Sequence, residues 1–207
     1  MTLADPFVEV GDTLRLRARV LDRGGDTVPG ATVVLAVVDT AYLALDSADF
    51  AVIGKATSTG AKVVALAGSL RSDPLSIRVP AGHADSLALV GAATDTLSAT
   101  DTVSALLKAE VLDLTTTPGT ASPLADRSVR FTVVDPVFAR ADTATVRFAN
   151  DSLGQTVRTG GSDSTATVAL RRRRGVPPDS VVVQAAATHS SGAPLRGSPV
   201  RFTVRFQ

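Results

Sequence analysis

Val200-Arg201-Phe202-Thr203-Val204-Arg205-Phe206 alternates apolar and polar side chains without a break. Successive side chains of a β-strand point to opposite faces, so this stretch offers Val and Phe to a core and Arg and Thr to water. The same period of two recurs throughout. Leu14, Leu16, Ala18 and Val20 alternate with Arg15, Arg17 and Arg19, which predicts a half-buried strand with an arginine-studded outer face. Val33, Leu35 and Val37 repeat the pattern, as do Val129, Phe131 and Val133 around Arg130 and Thr132. Further strands are expected at 50–56, 62–67, 75–79, 86–90, 103–112, 144–148, 164–170 and 180–187. Clusters of Gly, Pro, Ser and Asp separate them at the spacing of an all-β sandwich. Helical periodicity does not recur. Its nearest approach, Ala41 to Leu45, is too short to nucleate a helix.

Working outward, the strands fall into two copies of one plan. Asp12-Thr13 leads a strand ending Val20-Leu21-Asp22, and a second strand ends Val37-Val38-Asp39. Asp101-Thr102 leads a strand ending Val111-Leu112-Asp113, and the next ends Val133-Val134-Asp135. Two copies predict two domains, 1–81 and 84–207, joined at Val79-Pro80-Ala81-Gly82-His83-Ala84-Asp85. The second copy is longer, and its extra residues read as loops at 114–127, 149–163 and 171–179.

Composition supports a buried core and removes several chemistries. Of the 207 residues 44% are hydrophobic and 20% charged, unlike a disordered chain. The net charge of +1 marks the whole chain as neither a polyanion binder nor an acidic tail. With no cysteine there is no disulfide framework, thiolate metal site or thiol nucleophile. The apolar runs fall well short of the roughly 20 residues a membrane helix needs, so no membrane-spanning segment is expected. The first ten residues lack the basic and apolar regions of an export signal; if the protein is exported, that signal lies upstream or has been removed.

Candidate chemistry is sparse. His83 sits in the connector and His189 in a Ser/Gly-rich hairpin, and both read as solvent-exposed loop histidines. No Gly-x-Ser-x-Gly elbow accompanies them, so no catalytic residue is assigned and no enzyme is expected. Asp39, Asp46 and Asp49, and Asp22 with Asp26, have the donors calcium wants. They lack a calcium-loop spacing, and Asp is also a turn residue; the turn reading is favoured, with no metal or cofactor assigned. Gly54-Lys55-Ala56-Thr57 lacks the upstream glycine of a phosphate loop. Arg171-Arg172-Arg173-Arg174 is the most unusual run. It reads either as a basic loop that contacts an acidic glycan, or as a solvated hairpin that discourages edge pairing. Nucleic acid is not expected as a partner, because no aromatic side chains interleave with these arginines. Leu114 to Ser122 and Asn150-Asp151-Ser152 match glycosylation patterns, and the plain-loop reading is favoured for both.

Several of these segments resemble the bacterial immunoglobulin-like domains of invasin- and intimin-type surface proteins. They are Val10-Gly11-Asp12-Thr13, Val28-Pro29-Gly30-Ala31 feeding Val33 to Val37, and Thr59 to Val64. The first domain is most similar to the group-2 type. The second, through Arg127-Ser128-Val129-Arg130-Phe131-Thr132-Val133, is similar to the group-1 type, although Ser162 to Val168 lacks the glycine usual before that strand. The resemblance covers roughly 7–207. It implies two tandem immunoglobulin-like β-sandwiches and an extracellular or cell-surface location. It further implies a spacer or stalk role with some contribution to adhesion. The implied partners are neighbouring immunoglobulin-like domains or identical subunits, with acidic glycans or a host surface as further options. Two alternatives stay open: a filament or phage-type decoration subunit, with residues 2–10 completing a neighbour's sheet, and a glycan-binding module. Animal immunoglobulin domains match less well, because their Cys…Trp…Cys core is absent.

Overall fold

The computed structural model describes residues 6–98, 100–117, 120–139, 144–160, 162–173 and 175–207. It divides the chain into two compact units. The first is Met1–His83 with Ser190–Gly192, and the second is Ala84–His189 with Ala193–Gln207. Every regular element among the described residues is a strand, and no helix is long and apolar enough to cross a membrane.

The first unit packs two sheets. One has β1 (Thr13–Arg15), β4 (Ala51–Gly54) and β3 (Leu43–Asp46), in the order β1-β4-β3. In the other, β5 (Ser58–Ala67) pairs with β2 (Val34–Val37), β6 (Leu70–Arg71) and β7 (Leu75–Val79). Alternation builds the core: Ala61 and Val63 of β5 and Ile77 of β7 point inward, where Val8, Leu16, Leu35, Leu43 and Val52 meet them. The segment ahead of β1 serves both sheets. Phe7 bridges Arg78 in parallel, and Val10 bridges Gly54 in parallel on the opposite sheet. The Arg78 guanidinium lies 5.9 Å from the Phe7 ring centroid.

One expectation for this unit changes. The strand expected over 14–20 is confined to Thr13–Arg15, although Leu16 is buried as the alternation requires. Its partner strand begins at Ala51, and Phe50 just before it has φ +52°, so the ladder ends with the Leu16 N–H donating to the Phe50 carbonyl at 3.1 Å. The Ala41–Leu45 stretch, too short for a helix, contributes to β3, an extended partner of β4.

The second unit is a larger sandwich. Its first sheet runs β8 (Ser86–Val90), β10 (Leu107–Thr117) and β15 (Thr165–Val168), with β11 (Thr120–Pro123) also on β10. β16 (Leu170–Arg172) follows β15 and pairs with β13 (Val146–Phe148). Its second sheet has the order β14 (Gly154–Arg158), β12 (Ser128–Asp135), β17 (Ser180–Ala186), β18 (Val200–Phe206) and β9 (Thr94–Leu97). β8 and β9 are successive pieces of chain in different sheets. Gly91, at φ +83°, breaks the extended run between them, a conformation that glycine adopts without steric cost. Phe131, Phe148 and Phe202 are fully buried with Leu107, Val129, Leu170, Val183 and Val204 around them. The Phe131 and Phe202 rings lie 6.4 Å apart.

The longer loops expected here are partly strands. Residues 114–117 extend β10, and β11 returns along it; 149–163 contains β14, and 171–179 begins inside β16. Conversely, 103–106 lie ahead of the strand expected from Val103. Each unit has its own apolar core between two sheets.

Candidate functional site

The arginine run lies mostly on a strand. Arg171 is exposed and sits opposite Arg147 of β13, and it also bridges Val103. Like charges directly across a pair of strands repel. Arg172 pairs with the buried Val146, so it faces the other way from Arg171. Arg173 forms an ion pair with Asp151. Both side chains are about half exposed, a setting in which such pairs add about 0–1 kcal/mol. Arg174 lies outside the described residues. The run therefore divides between two faces of a strand and its end.

Of the aspartates considered for calcium, Asp22 and Asp46 hold turns. Asp22 Oδ1 accepts from the Gly24 and Asp26 N–H groups at 2.8 and 2.9 Å. Asp46 Oδ1 accepts from Ala48 and Asp49, and Asp39 Oδ2 accepts from Lys62 at 2.8 Å. Asp49 reaches Arg15 at 3.3 Å. Asn150 closes a similar turn with Ser152. These are the backbone-mimicking bonds that make Asp and Asn turn residues. Lys55 donates from Nζ to the Thr40 carbonyl at 2.8 Å.

His83 keeps a partly exposed side chain, 42% accessible, outside any strand, and it has acidic neighbours. Its Nε2 lies 3.7 Å from Glu9 Oε2 and 3.9 Å from Asp12 Oδ1, and Glu9 is fully buried. Sequence reasoning missed Glu9 because the alternation Phe7-Val8-Glu9-Val10 sends a Glu to solvent. The segment instead passes from one sheet to the other, so Val8 and Glu9 are buried while Val10 is exposed. Arg127 has the inward parity of Val129 and Phe131, a place that its charge disguises. It is buried at the start of β12, where its N–H donates to Thr159 Oγ1 at 3.0 Å and Thr159 Oγ1 donates to the Leu124 carbonyl.

Asp163 has a perturbed acidity. A hydrogen bond from the Thr165 side chain, followed by weaker help from Lys108 at 3.4 Å, holds its carboxyl below the usual value. A carboxylate with a lowered folded pKa stabilises the fold above its unfolded pKa and loses that contribution as pH falls through the folded one. Asp163→Asn is expected to lower the melting temperature at neutral pH, with the difference from the parent closing in strong acid. A difference that persists undiminished in strong acid would assign the effect to something other than the charge.

The outer face of the five-stranded sheet holds residues that alternation marks singly but cannot group. Arg130 lies opposite Ala186, Arg201 opposite Gln184, and Arg205 between Ser180 and Thr96. All three arginines are exposed.

No family model matches the chain, and no curated protein matches it. Solved structures do. The Yersinia pseudotuberculosis adhesin InvE is 18% identical at a TM-score of 0.44, covering 99% of this chain and 57% of that one. Domains 4–9 of the surface layer protein SbsC are 13% identical at a TM-score of 0.34, over 100% of this chain and 30% of that one. The D00-D0 domain of intimin is 18% identical at a TM-score of 0.29, over 98% and 97%. The chain thus spans 57% of the first and 30% of the second. The fold is all-β and immunoglobulin-like. That statement rests on the strand order of the two units themselves, in which paired sheets exchange strands across a common core.

Proposed function

We propose that the chain is a spacer or stalk segment of a bacterial secreted or cell-surface protein, built from two tandem immunoglobulin-like domains, 1–81 and 84–207. One observation carries this reading. In each unit an N-terminal stretch runs parallel to the segment that ends it: Phe7 beside Arg78 of β7 in the first, and in the second Ser86 beside Arg196 ahead of β18, then β9 beside β18, although β8 itself pairs antiparallel with β10. Parallel opening and closing stretches make the chain enter a unit at one end and leave at the other. Each unit then advances the chain by about one strand length, on the order of 20 Å. Modules that pass the chain through themselves serve for holding other parts at a distance. Neighbouring immunoglobulin-like domains are the partners this role requires.

The parallel arrangement also supports a mechanical expectation. Tension on the two ends of such a unit loads the hydrogen bonds between these stretches together, in shear. The second unit pairs four residues of β9 with β18, whereas the first has an isolated bridge with two bonds, Val8 N–H to Arg78 O and Arg78 N–H to Pro6 O, both at 3.0 Å. Pulled by its ends in a single-molecule experiment, the chain is expected to unfold in two events, the first unit yielding at the lower force. A single event, or the reverse order, would count against the spacer reading.

The filament alternative needs residues 2–10 to complete a neighbour's sheet. Residues 2–5 lie outside the described residues, and Phe7 and Val10 pair within their own unit. Light scattering coupled to size exclusion, over a concentration series, is expected to return one monomer mass. Growth into large species would replace the spacer with a filament subunit.

A further inference from the structure

We infer that the outer face of the five-stranded sheet in the second unit is a binding surface for an acidic polysaccharide, with Arg130, Arg201 and Arg205 as its contacts. The register places them. Arg130 and Arg201 stand two strands and two residues apart, about 12 Å, and Arg201 and Arg205 stand four residues apart along β18, about 13 Å. Arg158, beside Ser128 at the corner of the sheet, continues the line and is paired with Asp126 at 3.2 Å. The line runs obliquely across the sheet with Gln184 at its middle. Among the described residues, Arg130, Arg201 and Arg205 are in no ion pair. The carboxylate on the neighbouring positions is Asp135, at the bulged end of β12. At separations beyond the Debye length of about 8–10 Å the arginines repel one another weakly, so the fold tolerates them without counter-charges. An extended polyanion spans all three together, each guanidinium offering a planar fork to a sulfate or carboxylate.

The neutral groups on this face select the class of polyanion. Thr132, Gln184 and Thr203 lie between the arginines, with Ala186 beside Arg130 and Val182 beside Thr203, and Thr156, Thr94 and Thr96 flank them on β14 and β9. Hydroxyls and an amide both donate and accept, as sugar hydroxyls require. No aromatic side chain lies in these rows, so bases find no stacking platform. A sheet five strands wide does not enter a duplex major groove of about 12 Å. The surface is independent of the spacer reading, which survives if it fails.

The test uses the full chain and immobilised dextran sulfate, with unsulfated dextran as the neutral partner and polygalacturonate as a carboxylate polymer. Binding to both acidic polymers is expected, falling steeply with salt, with none to dextran. Arg130→Ser, Arg201→Ser and Arg205→Ser together are expected to weaken it about tenfold or more, by removal of three counterion-releasing contacts. The unfolding curve should stay put, because the replaced side chains are exposed. Arg171→Ser with Arg173→Ser, from the run that the sequence itself suggests for glycan contact, is expected to leave binding within about twofold, since counterion release follows only the contacts actually made. If the triple variant is unstable, Gln184→Glu reads the same contact by placing a carboxylate mid-line, and several-fold weakening is expected. Undiminished binding in the triple variant or in Gln184→Glu overturns the inference. So does loss confined to the Arg171 variant, absence of binding to either acidic polymer, or tighter binding to single-stranded DNA or anionic vesicles.

Discussion

Phe131→Ala is expected to destabilise the second unit by about 3–5 kcal/mol, the range for removing a fully buried aromatic ring from a packed core. Phe131 has no exposed surface, and it sits mid-strand on β12 between β14 and β17, within ring contact of Phe202. The ring has no polar atom, so the loss combines transfer free energy with a cavity that the two sheets cannot close without moving strands. For a domain of this size the loss corresponds to a fall of about 10–20 °C in melting temperature. Thermal and guanidinium unfolding, with amide exchange followed at β12 and β17, would measure it. A loss below about 1 kcal/mol would mean that the sheets collapse readily around the site and that Phe131 is not at a rigid centre.

Gly54→Ala is expected to be nearly as costly, through the backbone. A Cβ at Gly54 would stand 2.3 Å from the Glu9 carbonyl oxygen and 3.0 Å from its carbon, and neither belongs to a flexible side chain. The segment around Glu9 has to move off β4. That removes the bonds from the Gly11 N–H to the Gly54 carbonyl at 2.8 Å and from the Gly54 N–H to the Asp12 carbonyl at 3.1 Å, about 1 kcal/mol each. It also exposes Val8, whose burial contributes about 1.5–3 kcal/mol. Together these amount to about 3–5 kcal/mol if the segment detaches fully. Gly25→Ala makes a fair comparison: its Cβ meets open space, and only its φ of +89° opposes the change, at about 1–2 kcal/mol. Amide exchange at Val8 and Gly11, with melting temperature, would separate the two. Equal effects would sink the close-approach explanation.

The two predictions differ in how far the sequence announces them. Phe131 is legible, because Val129-Arg130-Phe131-Thr132-Val133 assigns it to the inside by alternation alone. Gly54 reads as part of an unremarkable Gly-Lys-Ala-Thr stretch. Its role depends on Glu9, 45 residues earlier, passing over it, and local pattern holds no information about that approach. The turn aspartates are legible for the opposite reason, since Asp22 and Asp46 bond to N–H groups two to four residues away. His83 beside buried Glu9, and the aborted strand after Arg15, are products of long-range pairing.

The arginines show the same division. Period-two alternation sends Arg130, Arg201 and Arg205 outward, because a strand has only two faces. Whether outward residues on separate strands are neighbours depends on register, a property of strands paired across long stretches of chain, as Arg130 with Ala186. The all-β class and the inward-facing residues follow from local pattern, because side-chain direction in a strand is a steric property of neighbouring residues. The tertiary structure alone decided which strands are parallel at each unit's ends, which glycine lies beneath a carbonyl, and which arginines share a surface. Those arise from hydrogen bonds and packing between segments distant in the chain.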